Sequence, residues 1–214
     1  MPKPLIIQAD QSYTFTDYFR LNFAPSDILG YFGVTLHKQF LTLPQHPADL
    51  DRVADLQQRI ESSLPRLSLT SEMARREFLI APVLMELLHH TDAMLNVEYP
   101  VSVSNLLKGT LDYFLRWRNT TPMGVSSQNF LVIAARNEDL ERGFVQLAVE
   151  LIALDQWIET DQPILWGAVS TGTIWQFGRC DRVQRQVTQA LTLYRVPTDL
   201  VDLMRILVGI VSNE

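Results

Sequence analysis

The chain has one cysteine, Cys180, in 214 residues. An intrachain disulfide is therefore excluded, and a cysteine-built metal site is not expected. The bland role for Cys180 is that of a small buried hydrophobe near a strand end. Long apolar runs are also missing: none approaches the roughly 18 residues needed to cross a bilayer. The apolar patch Leu5-Ile6-Ile7 near the start is too short for a secretory signal. The expectation is a cytoplasmic protein with no membrane span. Positive charge is scarce too, with 18 lysines and arginines against 24 aspartates and glutamates and a net charge of −6. That balance disfavours a general attraction to phosphate backbones, although a local basic patch can still bind nucleic acid. There is no internal repeat and no low-complexity tract.

What is present is an ordinary globular composition, 47% hydrophobic and 20% charged, long enough to bury a full core. Residues 10–43 are rich in aromatics: Tyr13, Phe15, Tyr18, Phe19, Phe23, Tyr31, Phe32 and Phe40. Disordered segments are poor in such residues. This arm reads as a lid packed on the core, with a partner-binding surface as the competing reading. Pro25 to Gly30 carries helix start and stop signals, with Thr16 and Ser26 as candidate caps. Helical spacing recurs over 49–60 and, capped by Ser71, over 71–88, where Pro82 should kink or restart the helix. Strands are predicted near 95–103, 110–116 and 129–135, the last a continuous apolar run suited to a central strand buried on both faces. The stretch 117–128 reads as a loop. The clearest helix is 139–157, with Leu140, Phe144, Leu147, Ala148, Leu151 and Ile152 on one stripe. Two short β runs, 164–170 and 174–177, flank Thr171-Gly172-Thr173, a hairpin signal. Two amphipathic helices are predicted to close the chain, one over 183–194 and one after Pro197.

Three passages belong together: Ser71-Glu72-Met73-Ala74-Arg75-Arg76-Glu77-Phe78-Leu79-Ile80-Ala81-Pro82, then Gly109-Thr110-Leu111-Asp112-Tyr113-Phe114, then Val132-Ile133-Ala134-Ala135-Arg136 followed by the helix that carries Gln146. In this order they resemble the core of the PD-(D/E)XK nucleases, the restriction-endonuclease-like superfamily, over roughly residues 70–180. The resemblance implies an α/β fold: a mixed central sheet flanked by helices, here with an aromatic-rich N-terminal extension and C-terminal helices. The corresponding division is an extension over 1–65 and a nuclease-like domain over 66–214.

In that family a helix-borne Glu, a strand Asp and the Glu of Glu-x-Lys surround a divalent cation, and the Lys orients the nucleophile. By this match Glu72, Asp112 and Gln146 are retained, while Glu-x-Lys has become Ala134-Ala135-Arg136. Ala134 offers no ligand. Arg136 does not give up its proton and is expected to pair with Asp112, since residues two apart on a strand share a face. The implied site is vestigial. No cofactor is expected, Mg²⁺ entering only if activity persists through a relocated acid, for which Glu150, one turn after Gln146, is the candidate beside Glu138 and Asp139. The resulting expectation is a non-catalytic nuclease-fold protein that binds a protein partner or itself. The alternatives are a metal-dependent endonuclease with a relocated acid, or a nucleic-acid-binding module.

For that last alternative the candidate residues are Arg75, Arg76, Arg116, Arg118, Arg179, Arg182 and Arg185. Asp181 interrupts the cluster, and a solvated surface is the favoured reading. His89-His90 is discounted as a metal site, because adjacent helical residues point in different directions and no His-x-x-x-His spacing accompanies them.

Overall fold

The computed structural model describes residues 6–8, 10–120, 126–135 and 139–212. Chain order begins with two short helices, α1 (Phe15–Arg20) and α2 (Pro25–Tyr31), and a strand, β1 (Thr35–Gln39). Next come α3 (Val53–Ser63) and one long helical run, α4 (Glu72–Arg75), a π-helical turn (Arg76–Ile80) and α5 (Ala81–His90). A meander follows, β2 (Met94–Ser102), β3 (Lys108–Thr120) and β4 (Ser126–Ala135), then α6 (Leu140–Trp157). Strands β5 (Ile164–Ser170), β6 (Ile174–Asp181) and β7 (Gln186–Arg195) and helix α7 (Leu200–Ser212) complete it.

The seven strands form one mixed sheet in the order β1-β7-β6-β5-β4-β3-β2. Pairing is antiparallel through β2-β3-β4 and β5-β6-β7, and parallel for β4 with β5 and for β1 with β7. The β4–β5 crossover runs through α6, the connection that a parallel pair requires. One face of the sheet is covered by α3, α5 and α7, and the other by α1, α2 and α6, giving a core on each side. The fold is thus α/β, a seven-stranded mixed sheet between helices.

Residue choice explains the packing. Gly167 and Gly178 are directly paired across β5 and β6. A side chain at Gly178 would stand 2.5 Å from the Phe144 ring, and one at Gly167 would stand 2.8 Å from Leu147. The glycine pair makes a flat spot into which α6 seats those two residues, and close helix–sheet approach follows. Gly172 turns the β5–β6 hairpin at φ +86°, a conformation that glycine adopts without steric cost. Pro82 lacks the N–H that would bond one turn back, and the helix answers with the π turn just before it.

The predicted meander, the α6 helix and the hairpin match the structure to within a few residues. Five expectations need correction. Residues 183–194 are not a helix but most of β7, entered through a turn in which Asp181 accepts the Gln184 amide at 2.8 Å and Arg185 adopts φ +49°. Spacing of Val187, Ala190, Leu191 and Tyr194 suits a helix, but β6 offers an open edge and the ladder wins. One helix, not two, therefore closes the chain. The arm also holds a strand, β1, which shows no apolar alternation because it is a polar edge. Thr14, not Thr16, caps α1: its amide and hydroxyl both donate to Asp17 at 2.7 Å, lowering that carboxyl's pKa. Ala24, not Ser26, precedes α2. Strands β3 and β4 also run well into the stretch read as a 117–128 loop, of which 121–125 lie outside the described residues.

In the arm, Phe15 and Tyr18 are fully buried, whereas Phe23, Tyr31 and Phe40 are exposed. The first two belong to the core that α6 shares, and Tyr18 also donates its hydroxyl to the Leu106 carbonyl at 2.7 Å. No described helix is long and apolar enough to cross a membrane.

Cys180 lies buried on β6, and burial pushes its thiol up to about 12, with Asp155 and Asp181 adding to the effect. Thiolate is the reactive form, so a rise from 9.0 to about 12 removes about a thousandfold of it at neutral pH. A small alkylating reagent should therefore label the folded protein about a thousandfold more slowly than the urea-unfolded chain. Equal rates would show that the thiol is accessible. The sign for stability is that of a raised pKa: the contribution is intact below pH 9 and falls as pH rises toward 12.

Candidate functional site

The three passages that carry the resemblance converge where β3 and β4 part. Their last paired residues are Tyr113 and Ile133. One position further on, the Asp112 side chain replaces the ladder, with Oδ2 accepting the Ala135 amide at 2.8 Å. Asp112 thus holds Ala135, the last residue of β4. On its other side β2 is irregular: Val97 pairs with Tyr113 and Tyr99 with Leu111. Glu98, between them and opposite Asp112, adopts φ +53°. Positive φ at a non-glycine residue is costly and clusters at sites where geometry is over-determined.

Arg76 reaches both acids. Its Nη1 lies 3.5 Å from Glu98 Oε1 and 4.0 Å from Asp112 Oδ1, and its Nε donates to the Tyr113 hydroxyl at 3.4 Å. The guanidinium also sits over the Tyr113 ring, 5.2 Å from its centre. Burial alone would lower the Arg76 pKa. The Tyr113 hydrogen bond and the charges of Asp112 and Glu98 outweigh it and raise the value. Glu98 therefore joins Asp112 around one guanidinium, which lies within ion-pair reach of both. In front is an open cleft of about 570 Å³ whose lining includes Glu72, Arg76, Glu77, Glu98 and Tyr113.

The predicted site residues are distributed as follows. Glu72 opens α4 at the rim of this cleft. Ala134 is 0% exposed, packed in the core under α6. Gln146 and Glu150 are both buried on α6, and Gln146 Nε2 donates to Glu150 Oε1 at 2.7 Å. Asp139 caps α6 by accepting the Arg142 amide at 3.0 Å. Arg136 and Glu138 lie outside the described residues. The residues that sequence reasoning missed are Glu98 and the role of Arg76. Arg76 was legible: it stands one turn after Glu72 and so shares its helix face. Glu98 was not, because nothing local announces a left-handed residue in a strand.

A divalent cation beside Asp112 would meet the positive charge of Arg76. Two unit charges about 4 Å apart repel by roughly 4 kcal/mol at an effective dielectric of 20, and a divalent ion doubles that. Arg76 is held where such an ion would need Asp112, and Ala134 supplies no ligand.

Most of the arginines proposed as a nucleic-acid track are used internally. Arg75 donates to the Thr171 carbonyl, and Arg185 to the carbonyls of Phe32 and Gly33. Arg182 bonds Asp155 and the carbonyls of Thr160 and Gln162. Arg116 stacks over Tyr99 and Phe114. Compared with known proteins, the chain matches no protein-family profile and no curated protein.

Proposed function

We propose that the chain is a catalytically silent protein of the restriction-endonuclease-like fold that acts by binding another polypeptide. The observation that carries this reading is the use of Asp112. Its carboxylate accepts the Ala135 amide and lies 4.0 Å from Arg76, so the residue the resemblance would give to a cation is engaged within the fold. The order helix, three-stranded meander, crossover helix, parallel strand over 72–170 supports the fold half of the reading. Support for the binding half comes from β7. Strand β1 pairs with it only as far as Ala190, and beyond that point Leu191 and Leu193 are exposed, as is Phe40 just after β1. A strand edge with apolar side chains is a template for adding a strand from a partner.

Glu98 motivates one competing reading, a metal-dependent nuclease with a relocated acid. It lies opposite Asp112 and is 66% exposed, whereas Glu150 is buried against Gln146.

Plasmid nicking in Mg²⁺ and Mn²⁺, with Asp112→Ala as control, separates the two readings; no cleavage is expected. Sedimentation of the protein alone and with its co-purified partner tests the rest. Wild type should form a dimer or a defined complex, and Leu191→Lys with Leu193→Glu should dissociate it at least tenfold more readily. Cleavage that vanishes in Asp112→Ala, or a strict monomer that retains no partner, would overturn the proposal.

A further inference from the structure

The far end of the helical run that carries Arg76 holds a second constellation. His89 and His90 close α5, about 20 Å along the helix from Arg76 at 1.5 Å per residue. The loop before α3 brings Asp51 against both. Asp51 Oδ1 lies 3.8 Å from His89 Nε2 and 3.7 Å from His90 Nδ1, and the three ligand atoms fall within 4.8 Å of one another. Adjacent helical residues do diverge, but at the last turn the two rings lie 5.0 Å apart at 77°. Different ring nitrogens then face one carboxylate. The earlier objection from helix geometry fails for that reason.

We propose that Asp51, His89 and His90 form a binding site for a borderline transition-metal ion such as Zn²⁺. Two imidazoles and a carboxylate are the donors such ions prefer, and three protein ligands leave a fourth position open. Zinc–ligand bonds of about 2.0–2.1 Å in tetrahedral geometry put ligand atoms about 3.3 Å apart. The Asp51–His distances need to close by about half an ångström, within reach of Asp51, 76% exposed in a turn. The two ring nitrogens, within 4.8 Å of each other, need to close by up to about 1.5 Å, through rotation of the half-exposed His89 ring.

An independent observation lies behind the site. His90 is 9% exposed, and its Nε2 is buried with no hydrogen-bond partner, 3.6 Å from Oε1 of the buried Glu86. A metal-bound histidine characteristically turns its other N–H to a carboxylate, which fixes the tautomer and strengthens the ligand. Metal on Nδ1 would place the hydrogen on Nε2, facing Glu86.

Arg52 is the competitor. Its Nη1 stands 2.9 Å from His89 Nδ1, and arginine only donates, so in the metal-free ring the hydrogen resides on Nε2. Ligation by Nε2 releases that hydrogen and Nδ1 takes one from water, with no net change in protons. Arg52 then keeps Glu86, whose oxygens already lie 3.3 and 3.4 Å from its Nε and Nη2.

Titration with Zn²⁺ against a chromophoric chelator, and the visible spectrum with Co²⁺, test the site. Wild type should bind one ion per chain with a tetrahedral Co²⁺ spectrum and melt at a higher temperature in Zn²⁺. Asp51→Ala and His89→Ala remove half-exposed or exposed groups without touching the core, and each should weaken binding at least tenfold and abolish the thermal shift. His37→Ala should change nothing. Wild-type protein that binds no ion, or both site variants binding as tightly as wild type, would overturn the proposal.

Discussion

Ala134→Glu will destabilise the protein by about 4 kcal/mol or more, and it will not make the chain a nuclease. Ala134 is fully buried among Val132, Phe144 and Ala148 in the core beneath α6. A glutamate there meets two penalties: extra atoms forced into a packed core, and a carboxylate taken out of water with Arg76 already committed to Asp112 and Glu98. The substitution that the family resemblance suggests as a repair is therefore the one that the packing forbids. Urea unfolding of Ala134→Glu beside Ala134→Leu separates the penalties, because leucine carries only the overpacking cost of about 1–3 kcal/mol. Adding Mg²⁺ should restore little of the glutamate variant's loss. A variant as stable as wild type, or one rescued by Mg²⁺, would mean that the space beside Asp112 still accepts an acid and a cation, and the silent reading would fall.

How far the sequence reveals this molecule depends on how local each determinant is. The 129–135 run, the α6 stripe and the Thr171-Gly172-Thr173 turn each contain their own reason for forming, and each is found where expected. Strands β1 and β7 do not. Residues 35–39 are polar because they lie at the sheet edge, and 186–195 satisfy a helical pattern as well as an extended one until β6 is there to pair. The site divides in the same way. Asp112 stands out by its place in Leu111-Asp112-Tyr113. Glu98 gains its meaning only from the strand opposite, and Asp51 only from a helix end nearly forty positions away. In each of these cases the missing information is which distant segments are neighbours.

Arg182 illustrates the same dependence on distant partners, and replacing it should have the other large effect. Its guanidinium bonds the Asp155 carboxylate near the end of α6 and the carbonyls of Thr160 and Gln162 beyond it, while its own amide donates to the Pro163 carbonyl. One side chain thus ties the α6 exit to the β6–β7 turn, and its positive charge lies at the helix end that favours it. Arg182→Ala strands a half-buried carboxylate and two carbonyls. A fully buried pair broken in this way costs roughly 3–5 kcal/mol; with both side chains 21% exposed, about 2–4 kcal/mol is expected after allowing for solvent screening. Arg182→Lys should recover less than half, because an ammonium cannot span the three acceptors that the planar fork reaches. Denaturant melts measure this loss, and DNA and RNA titrations at low salt supply the contrast. Arg182 is spent inside the fold, so its removal should leave nucleic-acid affinity unchanged. If Arg182→Ala melts like wild type and loses affinity for a polynucleotide, the arginines do form an outward-facing track. The protein would then be a nucleic-acid-binding module.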